Sequence, residues 1–359
     1  MIPYDGWDRE YQENKTAYLE LFDKFMSQLN YENNEKFERA FADRIGRKYA
    51  VSVASATDAL HFALLSYGIG IGDEVLVTDF SWISSAACVS MAGATPVFCD
   101  INLDSYHMSL DSIKRMYSKK TKAVIYVHLF GNMTDTSAIQ QFCKEKRIEF
   151  IEDAAQSIGS SLNGIKAGTI GDCSVYSFNS NKVIAGINGG GVFLTDNEEQ
   201  ATLFKKTRRH GKDTDFEMLG YNSRMYVLNA EIINLRLQNM EKTQLRRQEI
   251  ACQYNEAFKE LPMHVQLLLP KLNHNYHKYT VRFTDKETRN RLKKKLNASI
   301  HYELPLSANS MYNSIVHRKD NCVNSTIVAN TILSLPIHAW LTSEEINTII
   351  NIIGENYDI

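Results

Sequence analysis

Apolar and polar residues change their spacing along the chain, and these changes predict where helices and strands lie. Residues 16–29 and 35–48 place apolar side chains at helical spacing, and a short apolar run at 49–53 then predicts the first strand. After it, apolar runs of strand length alternate with helical patterns as far as residue 209. Strands are predicted at 74–78, 96–100, 123–128, 149–151, 174–178 and 190–195, and helices at 58–67, 135–146 and 197–209.

Alternation of strands with helices predicts an α/β fold with a mainly parallel central sheet covered by helices. After residue 224 the pattern changes to long helices over roughly 226–260. A strand at 277–283, a helix at 286–297, a strand at 299–303 and a last helix from about 343 follow. We therefore predict two domains, with N-terminal helices and a large α/β domain at 1–235 and a smaller α+β domain at 236–359.

Ligands of mainly parallel sheets bind where strands end at their carboxyl edge, so the loops after strands are the first candidates for a site.

Composition narrows the class of protein. A chain of 359 residues can bury a sizeable core, and 40 basic against 42 acidic residues give a net charge of −2, which favours neither nucleic acid nor a membrane surface. The N-terminus is polar and acidic and no apolar run reaches membrane-spanning length, so we expect a soluble cytoplasmic protein. The six cysteines are scattered without a CxxC pair, which indicates neither a disulfide framework nor a metal site.

The first candidate loop follows the strand at 49–53. Small residues and the hydroxyl of Thr57 stand there at the start of a predicted helix. Free backbone N–H groups at a helix N-terminus bind phosphate, so this loop is a candidate phosphate site. Alternatively, Thr57 or Asp58 is an ordinary helix N-cap.

The second candidate is Asp153, at the end of a predicted buried strand and three residues before Gln156. A carboxylate in this position can hold a proton on a heterocyclic nitrogen, although an aspartate after a strand can also cap a helix.

The third candidate is Lys182, five residues after Ser177 and shortly before Gly189, Gly190 and Gly191. A lysine beside a phosphate-binding hydroxyl and a glycine-rich backbone is what a Schiff base to an aldehyde cofactor requires. A lone lysine after a strand is otherwise a solvated surface residue.

Taken together and in this order, these segments resemble the DegT/DnrJ/EryC1/StrS sugar aminotransferases, which are fold-type-I pyridoxal phosphate enzymes. The resemblance covers almost the whole chain. It rests on SATDAL (55–60), GIGDEV (70–75), GATPVF (93–98), VHLFG (127–131), EDAAQ (152–156), SFNSNK (177–182), GYNSRM (220–225) and LPIH (335–338).

The resemblance implies a role for each matching residue. Lys182 would carry the cofactor through its Schiff base and shuttle the proton, Asp153 would pair with the pyridinium nitrogen, and Gln156 would contact the hydroxyl side of the ring. Trp82 would stack on the ring, although it could be plain core. The phosphate would be held by Ala56, Thr57 and Ser177, and by Asn222 of a neighbouring subunit, although Asn222 could be a turn residue.

The resemblance also implies the reaction and the partners. An amino acid, expected to be L-glutamate, would donate an amino group to the ketone of a nucleotide-linked deoxysugar, with C-4 favoured over C-3, and the chain would form a homodimer with shared active sites. Alternatives are a non-nucleotide cyclic or sugar ketone as acceptor, a cofactor-dependent sugar dehydratase, or a non-catalytic cofactor-binding regulator. Lys182 argues against the dehydratase, because those members carry histidine at that position. A nicotinamide-dependent reductase fails because Gly68, Gly70 and Gly72 precede their strand instead of following it.

The sequence departs from the family pattern at three places. Ala56-Thr57 stands for Gly-Thr, Ile187-Asn188-Gly189-Gly190 stands for Gly-Glu-Gly-Gly, and Asn222-Ser223-Arg224 stands for the Asn-Tyr-Arg of the 4-amino branch. Four further residues, His210, His301, Glu303 and His338, lie in segments that could face a substrate or be purely structural.

Overall fold

A computed structural model describes residues 2–27 and 33–357. The strands are β1 (Tyr49–Val53), β2 (Glu74–Thr78), β3 (Thr95–Cys99), β4 (Thr121–Val127), β5 (Glu149–Asp153), β6 (Ser161–Leu162), β7 (Ile165–Lys166), β8 (Cys173–Ser177), β9 (Gly191–Thr195), β10 (His264–Val265), β11 (Leu272–Asn273), β12 (Tyr279–Arg282), β13 (Arg318–Lys319) and β14 (Ile332–Leu335). The α-helices are α1 (Trp7–Ser27), α2 (Asn33–Ile45), α3 (Ala56–Ser66), α4 (Ser84–Met91), α5 (Leu110–Met116), α6 (Ser137–Lys146), α7 (Glu198–Thr207), α8 (Val227–Gln238), α9 (Met240–Phe258), α10 (Lys286–Leu296), α11 (Val323–Thr331) and α12 (Ser343–Gly354).

The central sheet has eight strands in the order β1-β9-β8-β5-β4-β2-β3-β13. Neighbours from β8 to β13 are parallel, and β9 runs antiparallel to both β1 and β8. Alternate residues of β4 enter different apolar clusters, with Ile125 in one and Val124 in the other. Both faces of the sheet are therefore covered, which confirms the predicted α/β class with a mainly parallel sheet.

A second sheet of three antiparallel strands, β10-β12-β14, lies in the C-terminal part of the chain. It shares an apolar core with α9, α10 and α12, in which Tyr254, Val281, Leu292 and Ile349 are buried. The domain division at 235/236 stays a prediction. Part of the later segment joins the large sheet, because Arg318 of β13 pairs with Val97 of β3.

Two sequence-based predictions need correction, and one extends beyond the described part. The strand expected at 299–303 is wrong: only Ser299 makes a bridge, to Ser334, and the chain then leaves the small sheet so that Leu306 reaches the backbone oxygen of Asp79 (2.7 Å). Strand β14 was not predicted. The first helix begins at Trp7, well before residue 16, and the predicted residues 28–29 lie outside the described residues. Within the described ranges, no helix combines the length and apolar character needed to cross a membrane.

Candidate active site

A cavity of about 930 Å³ opens at the carboxyl ends of β1, β5 and β8. It is lined on one side by loops of the large sheet and on the other by residues 299–303, the segment that leaves the small sheet. The predicted residues Ala56, Thr57, Trp82, Asp153, Gln156, Ser177 and Lys182 all line this cavity.

The start of α3 forms one wall. Ser55 is the N-cap, because its Oγ accepts a hydrogen bond from the Asp58 backbone N–H (3.1 Å), so the alternative that Thr57 or Asp58 caps this helix is wrong. The backbone N–H groups of Ala56 and Thr57 donate to no other described residue. The Thr57 hydroxyl lies 2.7 Å from the hydroxyl of Ser84. This end of α3 therefore keeps backbone donors available for an anion.

A glycine brings the opposite strand against the α3 loop. Gly191 pairs with Ser177 across β8 and β9. A Cβ on Gly191 would lie 2.5 Å from the backbone nitrogen of Ala56, which is closer than real Cβ contacts. Only a glycine at position 191 therefore lets the Ser177 hydroxyl and the Ala56 backbone share one corner of the cavity.

Asp153 ends β5 at the floor of the cavity. Its Oδ2 accepts a hydrogen bond from the Ser85 hydroxyl (2.8 Å), and its Oδ1 accepts one from the Ala155 N–H (3.2 Å). Burial raises the pKa of Asp153, while the hydrogen bond from Ser85 and the charge of Lys182 act in the opposite direction. A carboxylate held in this way can accept a hydrogen bond from a protonated group of a ligand in the cavity.

Lys182 lies in the turn after β8, where its backbone N–H donates to the oxygen of Asn179 (2.9 Å). Its ammonium makes no hydrogen bond or ion pair with another described residue. Burial lowers the pKa of Lys182 to about 8, and the carboxylate of Asp153 opposes this shift. A larger share of Lys182 is therefore a neutral, nucleophilic amine near neutral pH than for a surface lysine.

Gln156 and Trp82 approach the cavity beside Tyr302. The side-chain oxygen of Gln156 accepts from the Phe130 N–H (2.9 Å), and its amide nitrogen lies 3.3 Å from the Tyr302 hydroxyl. Trp82 is 58% exposed, and the centroid of its ring lies 6.2 Å from that of Tyr302, so the interpretation of Trp82 as plain core is wrong. An aromatic face remains available to a flat ligand.

Asn222 is the one predicted residue that does not line the cavity of its own chain. It is exposed, in a segment held by its neighbours: the Ser223 hydroxyl donates to Asp58 (2.7 Å), and the Tyr221 ring packs 4.7 Å from Phe62. The segment is therefore anchored to α3, while Asn222 itself is exposed outside the cavity of its own chain.

Four residues were left open by the sequence. His301 and Glu303 line the cavity. His338 lines a smaller chamber of about 180 Å³ next to it, and His210 is exposed at the surface. Ser85 and Lys278 were missed. Ser85 stands three residues after Trp82 without any pattern to mark it, and Lys278 occupies a polar position of an alternating strand.

These features meet the needs of a flat, phosphate-bearing aldehyde. Backbone donors and hydroxyl groups are available at the Gly191 corner, a buried carboxylate lies at the floor, and an amine of lowered pKa stands across from it. The cavity thus offers separate places for a phosphate, a ring nitrogen and a carbonyl carbon.

Comparisons with known proteins agree with this chemistry. A model of the DegT/DnrJ/EryC1/StrS aminotransferase family matches residues 10–354. The chain is 30% identical to a dTDP-3-amino-3,6-dideoxy-alpha-D-galactopyranose transaminase of Aneurinibacillus thermoaerophilus, over 89% of either chain. It is also 30% identical to a UDP-2-acetamido-2-deoxy-3-oxo-D-glucuronate aminotransferase of Pseudomonas aeruginosa, over 88% of either chain. A pleiotropic regulatory protein of Geobacillus stearothermophilus is 28% identical over 99% of this chain and 98% of its own.

Solved structures share the fold. DesV of S. venezuelae, determined in complex with a ketimine intermediate, superposes with a TM-score of 0.94 at 26% identity, covering 99% of this chain and 98% of its own. The PLP form of Spr1654 from Streptococcus pneumoniae superposes with a TM-score of 0.90 at 24% identity, covering 96% of both chains.

Proposed function

This chain belongs to the DegT/DnrJ/EryC1/StrS aminotransferase family and is a pyridoxal-phosphate-dependent aminotransferase, and from that premise we propose that it transfers an amino group from an amino acid, L-glutamate, to the ketone of a nucleotide-linked deoxysugar. The observation that carries the proposal is Lys182, whose ammonium shares the 930 Å³ cavity with the buried carboxylate of Asp153. A dehydratase of the same family would carry histidine at this position.

The residues around the cavity divide the work of holding the cofactor. In this proposal the phosphate is bound by the Ala56 and Thr57 backbone N–H groups and the Ser177 hydroxyl. Asp153 keeps the ring nitrogen protonated, Gln156 contacts the ring hydroxyl, and Trp82 covers one face of the ring. The phosphate-binding set would be completed by Asn222 of a second copy of the chain in a homodimer.

In this proposal, Lys182 attaches the cofactor and carries out the proton transfers of the reaction. When bound, pyridoxal phosphate withdraws electrons from the reacting carbon, so that a proton can be removed there. The amine of Lys182 would hold the cofactor and, once the donor has displaced it, would act as the base that accepts this proton and as the acid that gives it back. Asp153 supports each transfer, because a protonated ring nitrogen withdraws electrons more strongly. The same residues act in the opposite order when the sugar ketone is aminated.

The position of the ketone has two candidates. We propose C-4, since the SFNSNK segment, the three downstream glycines and the SAT loop resemble the branch of the family that aminates 4-keto sugars bearing an acetamido group. Position 3 is the second candidate, because the names of the two sugar-converting relatives above specify 3-amino and 3-oxo substrates and Asn222-Ser223-Arg224 resembles the 3-amino branch. A shift of about 1 Å in the position of the bound sugar can bring C-3 instead of C-4 to the reacting position.

A screen of nucleotide-linked 3-keto and 4-keto sugars with glutamate, read by mass spectrometry of the aminated product, tests the function. Comparing kcat/KM for the 3-keto and 4-keto forms of one nucleotide sugar tests the position, and faster turnover of the 3-keto form overturns the C-4 proposal alone. A pleiotropic regulator is among the relatives, so a purified protein that takes up no cofactor and aminates none of these sugars would favour a non-catalytic role.

A further inference from the structure

Lys278 is a buried lysine without a counter-ion. The residue is 9% exposed, and its Nζ donates no hydrogen bond to, and forms no ion pair with, another described residue. The Nζ instead lies 5.1 Å from the centroid of the Tyr4 ring. Buried ammonium groups in proteins are usually paired, because removing a charge from water is costly. The ammonium form of Lys278 is therefore free to pair with an anion that a ligand brings into the cavity.

The groups around Lys278 add further positive charge. Arg247 is half-buried, and its Nη1 donates to two backbone oxygens, those of Tyr276 (3.1 Å) and Ile337 (2.7 Å). Among the described residues, no carboxylate forms an ion pair with it. Burial and, after it, the charges of Arg247 and Lys182 together lower the pKa of Lys278 to about 7. Asp5 is the acidic group that opposes this shift, and its side chain is exposed at the surface.

Lys278 lies where the two cavities meet. Together with Lys182 it lines both the 930 Å³ cavity and the adjoining 180 Å³ chamber. Its backbone N–H donates to the oxygen of Phe130 (3.3 Å), which fixes the start of β12 against the large domain. None of the proposed phosphate-binding residues lines the smaller chamber. The smaller chamber therefore offers Lys278 room for an anion apart from the residues assigned to the cofactor phosphate.

We propose that the Lys278 ammonium, with Arg247 behind it, binds a carboxylate of the substrate next to the amine of Lys182. This proposal rests on the proposed aminotransferase function and names the substrate chemistry of that site. The carboxylate has two sources, the amino donor or an acidic sugar such as a uronate, and the chemistry of recognition is the same for both. Bound anion and buried cation would then neutralise each other inside the cavity.

The test measures binding of ligands that cannot react. The cofactor-loaded enzyme and its Lys278→Met variant are titrated by calorimetry with succinate, which represents the donor, and with UDP-glucuronate against UDP-glucose, which represents the acidic sugar. Lys146→Met is the matched control: Lys146 also places its ammonium over a tyrosine ring, that of Tyr117 at 5.3 Å, but is exposed on α6 outside both cavities. Loss of one charged hydrogen bond should weaken binding about 10- to 100-fold.

The binding measurements identify the source of the carboxylate. A higher Kd for succinate in Lys278→Met but not in Lys146→Met assigns the carboxylate to the donor, and the KM for glutamate should rise with it. Loss of a preference for UDP-glucuronate over UDP-glucose assigns it to the sugar. If Lys278→Met binds succinate and UDP-glucuronate as the unmodified enzyme does, the proposal is overturned. The succinate measurement needs no sugar, so failure of every amination reaction would refute the proposed function without touching this result.

Two further measurements keep the proposal testable if Lys278→Met does not fold. Lys278→Arg retains the charge, so its affinity for the assigned ligand should fall by less than the ~10-fold expected when the charge is removed. In the unmodified enzyme, affinity for that ligand should fall as pH rises through 7, because the ammonium is lost. The charged or titratable groups around Lys278 are Arg247, Lys182, His277, His301, Asp5 and Tyr4. Binding that is independent of pH between 6 and 9 would contradict a role for Lys278.

Discussion

The hydroxyl of Ser85 donates a hydrogen bond of 2.8 Å to Oδ2 of Asp153, which joins the first turn of α4 to the end of β5. Both residues are buried, and the bond opposes the rise that burial causes in the pKa of Asp153. Ser85 is therefore expected to keep Asp153 ionised and to hold its carboxylate in one orientation.

Replacing Ser85 with alanine should lower kcat about 10-fold, equivalent to roughly 1.4 kcal/mol of transition-state stabilisation. Without the hydrogen bond from Ser85, the pKa of Asp153 rises further, so the carboxylate is protonated at a higher pH. The acid limb of the kcat/KM profile should therefore move to higher pH. Ser66→Ala is the control, because the Ser66 hydroxyl bonds only to the Ala63 oxygen of its own helix (2.7 Å). An unchanged acid limb in Ser85→Ala would show that Ser85 has only a packing role.

Lys182 is expected to be the point of covalent attachment of the cofactor. Lys182→Ala should abolish both turnover and the adduct fixed by borohydride, whereas Lys166→Ala should retain both, because Lys166 is exposed and bonds to the Arg44 backbone oxygen. Peptide mapping of the reduced protein identifies the labelled lysine. An adduct on any other lysine would refute the assignment.

The rate at which cofactor-free protein takes up pyridoxal phosphate should increase as pH rises through about 8. Only the neutral amine attacks an aldehyde, and burial brings the pKa of Lys182 down to about 8. The Asp153 carboxylate opposes that shift, so Asp153→Asn should move the midpoint to lower pH. Stopped-flow absorbance across a pH series provides the measurement, and a midpoint that stays fixed in Asp153→Asn would contradict the coupling.

Gly191→Ala should weaken cofactor binding. The added Cβ would lie 2.5 Å from the Ala56 nitrogen, so the backbone must move and the phosphate corner opens. Overpacking of this kind costs about 1–3 kcal/mol, or roughly 5- to 150-fold in affinity. Gly70→Ala is the control, because a Cβ there meets only the Ala92 oxygen at 3.5 Å. Equal cofactor dissociation constants for the two variants would argue against a tight corner at Gly191.

Asn222 is expected to complete the site of a neighbouring subunit. Inactive Lys182→Ala and Asn222→Ala chains, mixed and reassembled at random, should regain about a quarter of the activity, because one site in each heterodimer recovers both residues. Separately tagged chains allow the heterodimer to be isolated. A verified heterodimer without activity would place Asn222 outside the shared site.

The order of apolar and polar residues was enough to predict seven of the eight strands of the large sheet and the helices α3, α6 and α7, whereas the edge strand β13 was not predicted. Parallel strands covered on both faces leave near-continuous apolar runs, such as the one that became β4, and these stand out without any knowledge of partners. The cavity-lining residues at Thr57, Asp153, Ser177 and Lys182 were also found, because each follows a strand whose carboxyl end faces the same edge of the sheet.

Only the tertiary structure decided how the C-terminal part meets that edge. Alternation over 277–283 places Lys278, Thr280 and Arg282 on a polar face, yet all three are buried. The reason is that this face packs against segments of the large sheet: the Lys278 N–H donates to the Phe130 oxygen, and the Arg282 guanidinium lies 6.0 Å from the centroid of the Tyr106 ring. The strand expected at 299–303 became a cavity wall for the same reason. Burial of a polar face depends on contacts between residues far apart in the chain, such as Lys278 with Phe130, and local spacing carries no record of them.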